Sequence, residues 1–83
     1  MADRENVLKK VMKVTSQVLK INPAEIKPES NFVFDLGAES VDSIALVASF
    51  DKEFNINMNE EDALEIQTVN KAVEFIMKYL EKK

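Results

Sequence analysis

The spacing of apolar residues near the carboxyl end is the sequence feature that most constrains the fold. Six apolar side chains recur there at intervals of three and four residues: Val69, Ala72, Val73, Ile76, Met77 and Leu80. This spacing puts them on one face of an α-helix. Thr68 precedes the first of them and can cap the helix with its hydroxyl. The pattern predicts a final amphipathic helix that buries one face against other elements.

A second apolar row predicts a helix at the start of the chain, from about Arg4 to Leu19. Its members have the same helical spacing: Val7, Val11, Val14 and Val18, with Leu8 and Leu19 beside them. Asp3 can cap the start of this helix. Asn22-Pro23 is expected to close it, because proline cannot continue the hydrogen-bond pattern.

A third helix is predicted from Ser40 or Val41 to Phe54, and its apolar surface is unusually wide. Its main stripe contains Ile44, Val47, Phe50 and Phe54, and Val41, Ala45, Leu46 and Ala48 broaden it. Such a helix is either deeply buried or shared between the core and a ligand. After it, Asn59 can cap a short helix that opens with acidic residues and ends near Ile66.

Residues 20–39 form a long loop between the first two helices, in which Pro23-Ala24-Glu25-Ile26 can make one helical turn. Four apolar residues are expected to pin the loop to the core: Ile26, Phe32, Phe34 and Leu36. No alternating strand pattern competes with the helices. The predicted fold is therefore all-α. It is a small antiparallel four-helix bundle with three longer helices, a short third helix and a long first loop, formed by a single domain of residues 1–83.

Composition limits how this domain is stabilised and where it resides. The chain has 83 residues and no cysteine, so packing rather than disulfides or thiolate metal sites stabilises it. With 46% hydrophobic and 31% charged residues it has the composition of a compact, soluble domain. No apolar run approaches the roughly 20 residues that span a bilayer, and the first residues do not resemble a secretory peptide. We expect a cytoplasmic monomer without membrane insertion.

Charge is unevenly distributed along the chain. Residues 1–31 carry a net charge of +2, whereas residues 32–70 contain nine acidic residues and one basic residue, Lys52, for a net charge of −8. An acidic surface repels nucleic acid and favours partners with basic patches. The same distribution is also typical of a solvated surface that only keeps the protein soluble.

The acidic segment contains the only glycine of the chain, three residues before a serine that opens the second long helix. Gly37 can adopt a positive φ without steric cost, so the chain can turn there and present Ser40 at a helix N-terminus. Unpaired N–H groups at that end favour a phosphodiester on Ser40. The spacing alone is more typical of a serine that only caps the helix, because glycine three residues before a helix-opening serine is a common pattern.

Catalysis by the chain itself is not expected. There is no histidine and no cysteine, so Ser40 lacks the usual general base. Lys52, the nearest lysine downstream, lies about three helical turns away. The acidic residues near position 60 do not follow the EF-hand ligand pattern, and we predict no metal site.

The segment from Asp35 to Asp42 closely resembles the attachment motif of acyl carrier proteins, whose usual form is Asp-Leu-Gly-Ala-Asp-Ser-Leu-Asp. Here Glu39 and Val41 replace the usual Asp and Leu. The resemblance extends over nearly the whole chain, through Asn22-Pro23, Ser30-Asn31-Phe32, Glu53-Phe54, Glu61-Asp62-Ala63 and Ile66-Gln67-Thr68-Val69.

The resemblance implies a carrier whose Ser40 receives 4′-phosphopantetheine from coenzyme A through a separate phosphopantetheinyl transferase. The thiol of that arm would hold acyl groups as thioesters for enzymes of fatty acid, lipid or polyketide-type biosynthesis. The expected acyl pocket comprises Ile44, Leu46, Val47 and Ile66. The expected contacts with the basic patches of partner enzymes are Glu39, Val41, Asp42 and Asp51. The alternative is a carrier-like helical interaction domain that is never modified at Ser40.

Overall fold

Four α-helices and one short 3-10 turn form the described part of the molecule, residues 3–81 of a computed structural model. In chain order they are α1 (Arg4–Leu19), the 3-10 turn (Pro23–Glu25), α2 (Ser40–Phe54), α3 (Glu60–Glu65) and α4 (Val69–Glu81). The predicted all-α bundle with three long helices and one short helix is confirmed. An isolated antiparallel bridge joins Asn31 to Thr68 and ties the long loop to the start of α4.

The predicted caps are present, and two helices end on unusual residues. The Asp3 carboxylate accepts a hydrogen bond from the Glu5 N–H (3.0 Å), and Thr68 Oγ1 accepts one from the Lys71 N–H (3.1 Å). Lys20 (φ 57°) and Asn55 (φ 54°) follow α1 and α2 in the left-handed conformation. Helix α1 therefore ends at this cap, two residues before the Asn22-Pro23 pair that was expected to close it.

The core lies where α1 packs against α2 and α4. Its largest fully buried side chain is Phe50, whose ring lies 6.4 Å from that of Phe32 with a 48° tilt. The predicted apolar faces of α1 and α4 supply most of the remaining buried residues: Val7, Val11, Val14, Val69, Ala72, Val73 and Ile76. A tilted aromatic pair of this kind adds to the burial energy of its two rings, so it fixes the long loop to α2.

The long loop is pinned by fewer residues than predicted. Ile26 and Phe32 are buried and Leu36 is half-buried against the core, but Phe34 is 87% exposed. The prediction that Phe34 pins the loop is therefore wrong. The turn that starts at Asn31 directs Phe32 and Phe34 to opposite sides, because the Asn31 side chain holds the backbone of the two residues that follow Phe32.

Only part of the apolar surface of α2 faces the core. Leu46, Phe50 and Phe54, at intervals of four residues, are buried. Ile44, which was assigned to the main stripe, is 72% exposed, and Val41 is 68% exposed. Six-residue α3 contributes no buried residue and is too short to cover the start of α2. The wide apolar surface of α2 is thus divided between the core and an exposed face.

Polar contacts hold α3 against α4. Tyr79 Oη donates a hydrogen bond to Asp62 Oδ2 (2.6 Å) and accepts one from the Asn59 N–H (3.0 Å). Asn59 caps α3 as predicted, because its Oδ1 accepts a hydrogen bond from the Asp62 N–H (2.8 Å). The hydrogen bond to the Asp62 carboxylate raises the pKa of Tyr79 above its ordinary value. The Tyr79 hydroxyl therefore links α4 both to Asn59, the N-cap of α3, and to Asp62 in the first turn of α3.

We expect Tyr79→Phe to reduce stability at neutral pH by removing these two hydrogen bonds. Because the folded state raises the pKa of Tyr79, its stabilising effect is complete below the unfolded pKa of about 10 and is lost as pH rises through the folded value. Urea unfolding of wild type and Tyr79→Phe from pH 7 to pH 11 measures the difference between their free energies of unfolding. The titration of the lysines is common to both proteins and cancels in this difference. A difference that grew above pH 10 would contradict the assignment.

Candidate functional site

A sharp turn at Gly37 leads into α2. Gly37 has φ 72°, and its N–H donates to the Val33 carbonyl (3.1 Å), while the Ala38 N–H donates to the Phe32 carbonyl (2.8 Å). A Cβ added at Gly37 would meet no atom within 4 Å. Glycine is therefore favoured here by backbone conformation and not by space. Buried Ala38 anchors the turn two residues before α2 begins.

Ser40 is the first residue of α2, and Glu39 occupies the N-cap position. The Glu39 N–H donates to Asp42 Oδ2 (3.0 Å), which satisfies the backbone at the helix start. The Ser40 hydroxyl makes no hydrogen bond to any other residue within the range 3–81. The interpretation of Ser40 as the helix cap is therefore wrong, because the residue before it occupies that position.

Among the five serines of the chain, all within the described range, Ser40 alone is classed as exposed. Ser16 and Ser30 are buried, and each makes a hydrogen bond to a nearby backbone group. Ser43 is half-buried and donates to the Glu39 carbonyl (3.3 Å). Ser49 is also half-buried. Accessibility thus distinguishes Ser40 from every other serine.

An open groove of about 570 Å³ lies between α2 and α3. Most of its lining is apolar, and it comprises Ser43, Ile44, Val47, Ala48, Asp51, Met58, Glu60, Ala63 and Leu64. The α2 residues among them lie three or four positions apart, in register with Ser40, so Ser40 heads the helix face that forms one wall. A chain attached to Ser40 can therefore follow this face into the groove.

The structure separates the four residues expected to form an acyl pocket. Ile44 and Val47 line the groove, whereas Leu46 is buried in the core and Ile66 packs half-buried against it. Sequence reasoning missed the opposite wall, Met58, Ala63 and Leu64. Leu64 is 80% exposed although apolar, but a six-residue helix is too short for its periodicity to identify a ligand face.

Three of the four residues expected to contact partner enzymes lie at the start of α2, and the fourth, Asp51, lies further along the helix. Glu39 and Val41 are exposed, and Asp42 is half-buried at the helix start. Asp51 is half-buried, and its Oδ1 accepts a hydrogen bond from the Met58 N–H (3.1 Å). Asp51 therefore also holds the connection between α2 and α3, a structural role that the sequence did not reveal.

No group of three or more histidine, cysteine, aspartate or glutamate residues within residues 3–81 is arranged to hold a metal ion. No helix in that range is long and apolar enough to cross a membrane.

The exposed hydroxyl fits a covalently attached phosphate ester. It lies at a helix N-terminus, where backbone N–H groups and the helix dipole favour negative charge, and it belongs to an exposed residue. The nearby Glu39 and Asp42 carboxylates oppose this effect, but one of them is engaged with the backbone. The site therefore accommodates the diester.

The fold and this serine define a small carrier domain. A family model described as the phosphopantetheine attachment site matches residues 9–76. An acyl carrier protein from Cyanidium caldarium is 42% identical over 77 residues, which cover 93% of this chain and 90% of that relative. The chain belongs to the acyl carrier protein family, and 4′-phosphopantetheine is its covalently bound prosthetic group. Such a protein carries groups rather than transforming them.

Proposed function

We propose that Ser40 is the residue that carries 4′-phosphopantetheine, and that the chain delivers acyl groups to enzymes of fatty acid, lipid or polyketide-type biosynthesis. The observation that carries this proposal is an exposed serine at the head of an apolar groove, whose hydroxyl has no hydrogen-bond partner within residues 3–81. When bound, the group supplies a terminal thiol on which acyl groups are held as thioesters.

The residues of this chain contribute position and electrostatics. Gly37 turns the backbone so that Ser40 Oγ is accessible to a phosphopantetheinyl transferase. In that enzyme the Ser40 Oγ–P bond forms as the pyrophosphate bond of coenzyme A breaks, and adenosine 3′,5′-bisphosphate leaves. The Ser40 proton passes to a base of the transferase, since this chain has no histidine to accept it.

The proposed contact surface for partner enzymes with basic patches lies at the start of α2 and comprises exposed Glu39 and Val41 and half-buried Asp42. Charge complementarity of this kind increases association rates and selects partners more than it adds affinity. Asp51 belongs to the same proposed contact surface, and its Oδ1 also accepts the hydrogen bond from the Met58 N–H. We further propose that the protein acts as a cytoplasmic monomer.

Loading with coenzyme A and a panel of phosphopantetheinyl transferases tests the attachment site. We expect intact mass spectrometry to find one phosphopantetheinyl increment and fragmentation to locate it on Ser40. Ser43→Ala is the matched control, and its loading should equal that of wild type. An increment on Ser43 would move the attachment site to that residue, and no increment with several active transferases would favour an interaction domain that is never modified.

The groove makes a separate prediction about cargo. An octanoyl chain on the loaded protein should raise the unfolding temperature, because each methylene that leaves water contributes about 0.8 kcal/mol. Ala48→Phe, which fills the groove, should remove this rise. Ala45→Phe is the control, because Ala45 is exposed on the same helix but lies outside the groove lining. Thermal unfolding of the acylated and unacylated forms of wild type, Ala48→Phe and Ala45→Phe measures the rise in each protein. An equal rise in all three would refute the prediction.

A further inference from the structure

An exposed apolar knuckle, formed by Val33 and Phe34, projects from the long loop and is not part of the groove or of α2. Phe34 is 87% exposed and Val33 is 52% exposed. A phenylalanine so exposed leaves most of its ring in water, so it contributes little of the burial free energy that a core phenylalanine supplies. The side chain therefore adds little to the stability of the fold, and two adjacent exposed apolar residues form a patch of the kind that contacts other molecules.

The knuckle is held in place by a dense set of hydrogen bonds. Asn31 Oδ1 accepts from the N–H groups of Val33 and Phe34, both at 2.9 Å. The Asn31 N–H donates to Asp35 Oδ2 (2.7 Å), and the Asp35 N–H donates to the Asn31 carbonyl (2.9 Å). Phe32, between Asn31 and the knuckle, is buried against Phe50. A backbone fixed in this way loses little conformational entropy when its side chains bind a partner.

The same turn brings the knuckle close to the attachment serine. The Val33 carbonyl accepts from the Gly37 N–H, and the Phe32 carbonyl accepts from the Ala38 N–H. Ser40 follows Ala38 by two residues, a separation of at most roughly 8 Å between their Cα atoms. Any protein that reaches the Ser40 hydroxyl therefore also passes close to the knuckle.

We propose that Phe34, with Val33, is an apolar anchor for the phosphopantetheinyl transferase that loads this carrier. The inference rests on the proposed function of Ser40. The transferase has to bring its own reacting groups to the Ser40 hydroxyl, whereas enzymes that use the loaded carrier act at the far end of the arm, so the transferase is the partner whose active site must lie beside the knuckle. Exposed Asp35 and Glu39 flank the knuckle within the acidic segment, so the complementary surface is an apolar pocket bordered by lysine or arginine.

Steady-state loading kinetics test this assignment. Wild type, Phe34→Ala and Phe34→Leu are each titrated against a purified transferase that loads wild type, with coenzyme A in excess. We expect Phe34→Ala to raise KM for the carrier about 10-fold with little change in kcat, because the anchor contributes binding and takes no part in the phosphoryl transfer. Phe34→Leu keeps an apolar side chain and should restore most of the affinity. Urea unfolding should be unchanged in both variants, since the side chain is exposed.

The outcomes separate this inference from the function on which it rests. Equal KM values for wild type and Phe34→Ala, with normal loading of Ser40, would overturn the anchor and leave the attachment site intact. Unchanged loading with slower use of the loaded carrier by a later enzyme would likewise overturn it, because the knuckle would then contact that enzyme. Failure of wild type to load with any transferase would remove the attachment site and the anchor together.

Discussion

Replacing Ser40 with alanine is expected to abolish loading completely and to leave the fold intact. The hydroxyl oxygen is the atom that bonds to phosphorus, so no other group at this position can replace it. The remaining serines are buried or half-buried, so they should not be loaded in its place. Intact mass spectrometry after prolonged incubation with transferase and coenzyme A should find only the unmodified mass.

The folded state should tolerate this change because Ser40 does not cap α2. Glu39 holds the N-cap position, and alanine is a good helix former at the first helical residue. We expect the free energy of unfolding to change by no more than about 0.5 kcal/mol. Loss of loading with a collapsed urea transition would make the result uninformative about attachment, so circular dichroism and urea unfolding accompany the mass measurement. Residual loading of Ser40→Ala would contradict Ser40 as the sole site.

Replacing Phe50 with alanine is expected to produce the largest loss of stability in the chain. Phe50 is fully buried, packs against Phe32 and lies in the core formed by α1, α2 and α4. Truncation of a buried phenylalanine costs about 3–5 kcal/mol. A domain of 83 residues has a total stability of roughly 4–12 kcal/mol, so a large fraction of molecules could unfold at room temperature.

Phe34→Ala is the matched control for this experiment because it removes the same side chain from an exposed position. Its urea midpoint should remain within experimental error of that of wild type, while the midpoint of Phe50→Ala should fall sharply. The slope of the transition should be similar in the three proteins if each unfolds in one step. Equal destabilisation by the two variants would mean that the core does not depend on the Phe32–Phe50 pair.

Helical periodicity predicted the bundle because each long helix repeats its apolar residues over three or more turns. The row of valines in α1 and the mixed apolar residues in α4 have the spacing of an amphipathic α-helix and do not alternate as a strand would. The division of α2 was not predictable in the same way. Ile44 and Phe50 are both apolar and both fit a wide helical stripe, but they lie about 120° apart around the helix, so that Ile44 lines the groove and Phe50 is buried in the core.

The candidate site was predictable in part. Gly37 and the exposed Ser40 follow from local backbone chemistry, which depends on near neighbours. The helix cap at Glu39 was missed because serine is the commoner capping residue, and glutamate takes the position through the backbone hydrogen bond to Asp42. The positions of the second groove wall and of the outward-facing Phe34 depend on tertiary packing. The pattern of apolar residues in one sequence does not indicate which of them will face solvent.

The exposed face of α2 has a consequence for how carriers of this kind diversify. Val41, Ile44, Ala45 and Ala48 are exposed on a helix that Leu46, Phe50 and Phe54 hold in place from the other side. Substitutions on the outer face alter what a partner meets without opening a cavity in the interior. Natural selection can therefore change which enzymes bind this protein one side chain at a time, while the stability of the domain stays nearly constant.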